Sequence, residues 1–411
     1  MARSGGIGGL VVRSVRVRLL AIVAILVQFA LTAAAADLFD GASVLGLGTI
    51  PPLRTAQAQL LVPQPDGTYY SPSGTCPPNC NTTTVAPVMQ PTTVVQQYDP
   101  YVLQTHAGRT AWPACKCGVF GEFIYWQPRG VDVAYAVPQN GLLVAGATPI
   151  GPASVVDPGY SPGFRAGLFL AMGPEARLIG TYTWFRSTAD ASVGTTAPNV
   201  INPLVLFPGT FNAGSDSQTA SASLGTDLQL IDIDYQVAAE NCPLYWWGYS
   251  LGARYGRLNQ NFSADFPFAP PDGSTSFNTS VVFEGVGPRA GFEGERVIFA
   301  NRGFRAYGKT SASFPVGQWR STYVQTNQFG GTQVNTGLTV DRIVPILDFE
   351  IGLAWVGPGE WIRISGGYMV AAWFNSVTTD SWINSVNNLS YSPGSSTVTF
   401  DGLTARAEVH F

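Results

Sequence analysis

Leu403-Thr404-Ala405-Arg406-Ala407-Glu408-Val409-His410-Phe411 alternates without interruption. Leu403, Ala405, Ala407, Val409 and Phe411 fall on one face of a strand, and Thr404, Arg406, Glu408 and His410 on the other. An apolar row, a charged row and a terminal aromatic suit a strand with lipid on one side and a wet lumen on the other. The alternative is a half-buried strand of a soluble sheet, and the rest of the chain has to decide between them. In the barrel reading, the row ending on Phe411 is the assembly signal offered to the barrel-assembly machinery.

The same division of faces recurs upstream. Leu347, Phe349, Ile351, Leu353 and Trp355 oppose Asp348 and Glu350, while Ile362, Ile364 and Tyr368 oppose Arg363. Tyr249, Leu251 and Tyr255 oppose Arg254; Phe304 and Ala306 oppose Arg305 and Lys309; Phe164, Leu168 and Leu170 oppose Arg165. Turning one such arginine to lipid at the bilayer midplane costs about 2–4 kcal/mol, so the register is firmly specified. One segment departs from the rule. Leu228 and Leu230 share a parity that Ile231, Ile233 and Tyr235 leave, with Asp232 and Asp234 between, and a bulge near Leu230 and Ile231 is the expectation.

Ten long segments carry this pattern: 119–137, 163–172, 176–186, 223–237, 246–262, 281–295, 302–325, 341–356, 361–374 and 397–411. Splitting the first at Pro128 and the seventh at Pro315 makes twelve. Short connections, such as Gly173-Pro174-Glu175 and Gly357-Pro358-Gly359-Glu360, alternate with long ones at 138–162, 187–222, 263–280, 326–340 and 375–396. That alternation belongs to an all-β transmembrane antiparallel barrel of about ten to twelve strands. Trp126, Trp184, Tyr245, Trp246, Trp247, Trp355, Trp361, Trp373 and Phe374 gather near segment ends, where interfacial girdles form.

Composition agrees. Of 411 residues only 12% are charged, 46 are Gly, and lysine occurs only at Lys116 and Lys309. A net charge of −4 without a basic block argues against nucleic acid as a partner. Arg3, Arg13, Arg16 and Arg18 precede an apolar run from Leu19 to Leu31 and then Ala33 to Ala36, so 1–36 reads as a signal peptide. Cleavage before Gln59, after Ala56-Gln57-Ala58, is the second candidate, and a retained anchor helix is the alternative to cleavage. Residues 37–116 have no sustained period and hold eleven prolines between Pro51 and Pro113; they read as a flexible periplasmic arm ahead of a barrel over 117–411. Cys76, Cys80, Cys115 and Cys117 are disulfide candidates of an exported chain with pairing open, and Cys242 is left over. No metal-ligand spacing and no cofactor motif is present.

Several strings resemble a known family: Val131-Asp132-Val133-Ala134-Tyr135-Ala136-Val137-Pro138, Val156 to Arg165, Asp341 to Asp348, and Gly367 to Asn375. They are similar to the pore-forming major outer membrane protein family named from Legionella, in the form common in planctomycete-type bacteria. The resemblance runs from about Cys117 to Phe411. It implies an outer-membrane location, contact with outer-membrane lipid and a pore, and carries over no catalytic residue.

Two functions follow. In the first, the barrel passes small hydrophilic solutes or ions, its lumen lined by Arg165, Arg177, Arg254, Arg289, Arg305, Lys309, Arg363 and Arg406 with Glu293, Asp348, Glu350 and Glu408. In the second, those groups pair across strands and fill the interior, and the protein acts as a structural or adhesive barrel through its long loops. Catalysis fares poorly: the only histidines are His106 in the arm and His410 in the last strand, and Asp232 and Asp234, which could do acid–base work, read rather as inward acids of a salt-bridge ladder beside arginines.

Overall fold

A computed structural model describes residues 117–141, 147–210, 216–268, 273–299 and 303–411. The leader, the arm, both cleavage candidates and Cys76, Cys80 and Cys115 lie outside the described residues. The alternating stretches pair as antiparallel neighbours in one circle. It runs β1 (Gly118–Arg129), β4 (Ser161–Gly173), β5 (Ala176–Gly194), β7 (Thr219–Asn241), β8 (Tyr245–Pro267), β9 (Ser274–Phe299), β10 (Phe304–Ser313), β13 (Ile346–Val356), β14 (Ile362–Ser376), β15 (Ser396–His410) and back to β1. These ten strands close the barrel, which leaves no edge around that circle. At the seam Cys117 N–H donates to the Phe411 carbonyl at 3.1 Å, and Phe411 N–H returns to that of Cys117 at 2.8 Å.

Two further strands, β11 (Val316–Asn327) and β12 (Gly331–Ile343), extend the wall. The 26-residue β9 pairs with β10 from Arg289 to Phe299 and with β11 from Thr275 to Val286. The seventh segment therefore does divide at Pro315, which has no N–H for the ladder. The first divides instead after Arg129, and its second part is not a wall strand. Residues Val133–Gln139 form β2, which pairs with β3 (Ser154–Val156) and β6 (Val200–Pro203) in a separate three-stranded sheet.

The expected long loops are largely ordered. β5 runs to Gly194, β7 starts at Thr219, and 326–340 is mostly β12. The stretch 375–396 contains α1 (Thr379–Asn387), started by a capping box in which Thr378 Oγ1 accepts from Ser381 N–H and Ser381 Oγ from Thr378 N–H.

The expected bulge near Leu230 and Ile231 is absent. On β7 every even residue from Ala220 to Ala238 is buried, and pairing with β8 is regular from Ser221 to Ala238; its one irregularity lies between Ala238 and Glu240. What changes at Leu230 is the solvent, not the register. Below it, toward the short turns, Asp232, Asp234 and Gln236 point inward while Ile231, Ile233 and Tyr235 are exposed outside. Above it Leu224, Leu228 and Leu230 point inward, and Asp227 and Gln229 occupy the outer face. β8 repeats the exchange, from inward Arg254 with outward Tyr255 to inward Leu258 with outward Arg257, and β1 does so between Glu122 and Ile124. Lipid outside and water inside thus give way to water outside and a dry interior. β7 alone offers roughly 75 Å of strand at about 3.3 Å per residue, rising about 55 Å at a tilt of about 40°, against an apolar band of about 25 Å.

Candidate functional site: a charged chamber beneath a dry core

Because the inward parity continues from strand to strand, the spanning half collects its ionisable groups on the axis. Eight cations, Arg165, Arg177, Arg254, Arg289, Arg305, Lys309, Arg363 and Arg406, face eight carboxylates, Glu122, Asp232, Asp234, Glu293, Glu295, Asp348, Glu350 and Glu408. Nearest the dry core, Arg254 bridges Asp232 and Asp348, each at 2.7 Å, and Arg289 binds Asp234. One level down, Arg165 meets Glu122 at 2.7 Å and Glu350 at 3.8 Å, and the Tyr307 hydroxyl donates to Glu350 at 2.8 Å. Toward the short turns, Arg363 joins Glu408 (2.7 Å) to Glu295 (3.0 Å), and Glu295 continues to Arg305 at 3.0 Å. Arg406 sits 2.7 Å from Glu408, Lys309 3.8 Å from Glu293, and Gln236 accepts from Arg177 and donates to Glu293.

All twelve inward residues named from the sequence lie in this network. Glu122 and Glu295 were missed: Glu122 sits in β1, where the faces were not separated, and Glu295 lies near a turn. With Glu360, 3.9 Å from Arg305 at the lower rim, acids outnumber cations by one, so the charges nearly cancel. The void among them is small, about 150 Å³, reaching from Met369 and Asp348 down to Glu360 and His410.

Above the chamber an apolar cluster occupies the axis. Trp126, Phe185, Phe283, Trp319, Trp373 and Phe400 converge at 0–1% exposure. Trp373 meets Phe283 and Phe400 edge-on, and Trp126 lies against Phe185 at 5.9 Å. Trp126, Trp246 and Trp373 are thus interior side chains and not girdle members, because they share the inward parity of their strands. Outside, Trp184, Trp247, Trp355, Trp361 and Phe374 remain on the outer face.

The three-stranded inner sheet and α1 complete the filling. Val133, Tyr135, Trp382 and Val386 are fully buried. Inward polar groups of the wall hold these elements: Gln260 accepts from Thr379 N–H at 3.1 Å, Gln325 from Phe207 N–H at 2.9 Å, and the Tyr323 hydroxyl donates to the Val205 carbonyl at 2.8 Å. Burial pushes the Tyr323 phenol up, so it stays a neutral donor across the physiological range. Among the described residues Cys117 and Cys242 carry free thiols; the other three cysteines lie outside them.

The family described as "Legionella pneumophila major outer membrane protein precursor" matches residues 115–411, the whole barrel. The chain belongs to this family. No curated protein matches it. Among solved structures, the outer membrane protease OmpT from Escherichia coli is similar at 12% identity over 74% of this chain and 99% of that one, with a TM-score of 0.43. Acinetobacter baumannii CarO is similar at 9% identity over 72% and 97%, TM-score 0.23, and the P. putida toluene transporter TodX at 8% over 73% and 90%, TM-score 0.27. Membership places this barrel in the outer membrane, its exposed apolar band against lipid.

Proposed function

We propose that this member of the family is a closed outer-membrane barrel: the spanning half anchors it, and the extension beyond the membrane is a rigid surface scaffold. The observation that carries this reading is the dry core on the axis, where Trp126, Phe185, Phe283, Trp373 and Phe400 occupy the space an aqueous path would need. Ten closing strands are also few for a channel, since wide lumens come with about 16–18. On this reading the short turns and the 37–116 arm face the periplasm, 1–36 is the export signal, and the outer row from Leu403 to Phe411 is what the barrel-assembly machinery grips.

A second reading has its own support. The charged chamber of about 150 Å³ suits small hydrophilic solutes or ions, so a gated pore would open if α1 and the inner sheet withdrew. Swelling of proteoliposomes in a small sugar separates the two. A closed scaffold gives no swelling in the wild type or in a Trp382→Ala variant with loosened α1. Swelling in the wild type overturns closure, and swelling only in the variant favours the gated pore.

A further inference from the structure

The outer face carries a second ordered set of charges, just above the apolar band. Beyond it the outward rows carry Arg129 on β1, Arg186 on β5, Arg257 on β8 and Arg320 on β11, the middle two at the first polar position of their rows, with acids on the neighbouring β15, β7 and β9. In each case a neighbour takes the Nε edge: Asp401 for Arg129, Asp227 for Arg186 at 3.3 Å, Glu284 for Arg257 at 3.4 Å, and the Gln318 amide oxygen for Arg320 at 2.8 Å. The side chains nevertheless stay exposed, Arg186 at 62% and Arg257 at 45%. No terminal nitrogen of Arg186, Arg257 or Arg320 makes a hydrogen bond among the described residues.

A guanidinium held by one edge is pre-oriented, and its free terminal nitrogens form a fork that matches two oxygens of a phosphate. These forks lie at the level where the outer face turns from apolar to polar, which in a membrane is the headgroup layer. We infer that Arg186, Arg257 and Arg320, with Arg129 further round the barrel, form a docking belt for the phosphate groups of outer-leaflet lipid. The tethering groups set the orientation, and the belt selects a terminal phosphate monoester, as in phosphatidic acid, over the choline-capped phosphodiester that phosphatidylcholine already carries.

The test uses the full chain refolded into vesicles of phosphatidylcholine alone, phosphatidylcholine with a minor fraction of phosphatidic acid, and phosphatidylcholine with free inorganic phosphate. The readout is the temperature at which the folded, fast-migrating band converts to the unfolded one. Phosphatidic acid is expected to raise it by several degrees, inorganic phosphate to leave it unchanged, and the combined variant Arg186→Gln, Arg257→Gln, Arg320→Gln to lose the rise. No rise in the wild type, an equal rise in the triple variant, or the same rise with inorganic phosphate would overturn the proposal. Should the triple variant fail to fold, Arg186→Lys, Arg257→Lys, Arg320→Lys keeps the charge and removes the fork. That variant is expected to lose most of the rise, and an undiminished rise counts against the belt.

Discussion

At the scale of the residue, the two kinds of arginine on this barrel behave oppositely. Arg254 is buried between Asp232 and Asp348, whereas Arg257, three residues on, lies on the outer face beside Glu284. Arg254→Met leaves buried Asp348 with the Ser311 hydroxyl and buried Asp232 with Arg289 at 4.0 Å, and is expected to cost about 3–5 kcal/mol. Arg257→Met in plain phosphatidylcholine is expected to cost under about 1 kcal/mol. Urea midpoints of the two refolded variants check the contrast. Glycine matters where Tyr307 lies along the inner wall over β13 and β14 to reach Glu350: a Cβ on Gly352 or Gly367 would lie 2.7 or 2.6 Å from its hydroxyl. Gly367→Val is therefore expected to lower the midpoint by more than Tyr307→Phe, which loses one hydrogen bond worth about 1 kcal/mol. The inward identity of Arg254 or Arg363 was legible in the sequence because a charge between apolar neighbours has one tolerable direction in a membrane. Their partners were not, since pairing across β13, β14 and β15 depends on register and tilt.

At the scale of the element, β7 shows why half of each strand was hard to read. Alternation gives parity but not which solvent lies on which side. Below Leu230 the apolar residues are the lipid row, above it they are the core row, and the shift in parity resembled a bulge. For the same reason the polar outer rows of upper β5 and of β12 passed for loop. The exchange of solvents makes a test: Ile233→Arg is expected to cost about 2–4 kcal/mol or block insertion, while Gln229→Arg, two pairs away on the same face, stays within about 0.5 kcal/mol. Equal costs for the two would place the membrane boundary elsewhere. α1 and the inner sheet had no strong periodic signal, because short elements packed inside a wall bury several faces at once. Trp382→Ala removes a fully buried indole and is expected to cost about 3–5 kcal/mol. New proteolytic cleavage near 379–392 is the matching readout.

At the scale of the whole molecule, ten closing strands, a nearly neutral network of paired charges and an apolar core describe, among the described residues, a barrel whose axis is blocked above a charged chamber. The fold class, the strand count and the outer-membrane setting could be read from faces and spacing alone. Whether the lumen is open could not, because it depends on how Trp126, Trp373 and Phe283, far apart in the chain, meet on the axis. That closure is the central claim, and single-channel recording of the full barrel in a planar bilayer tests it most directly. The account predicts an electrically silent membrane containing protein that still shows heat-modifiable migration; discrete, reproducible conductance steps from that same folded protein would contradict it.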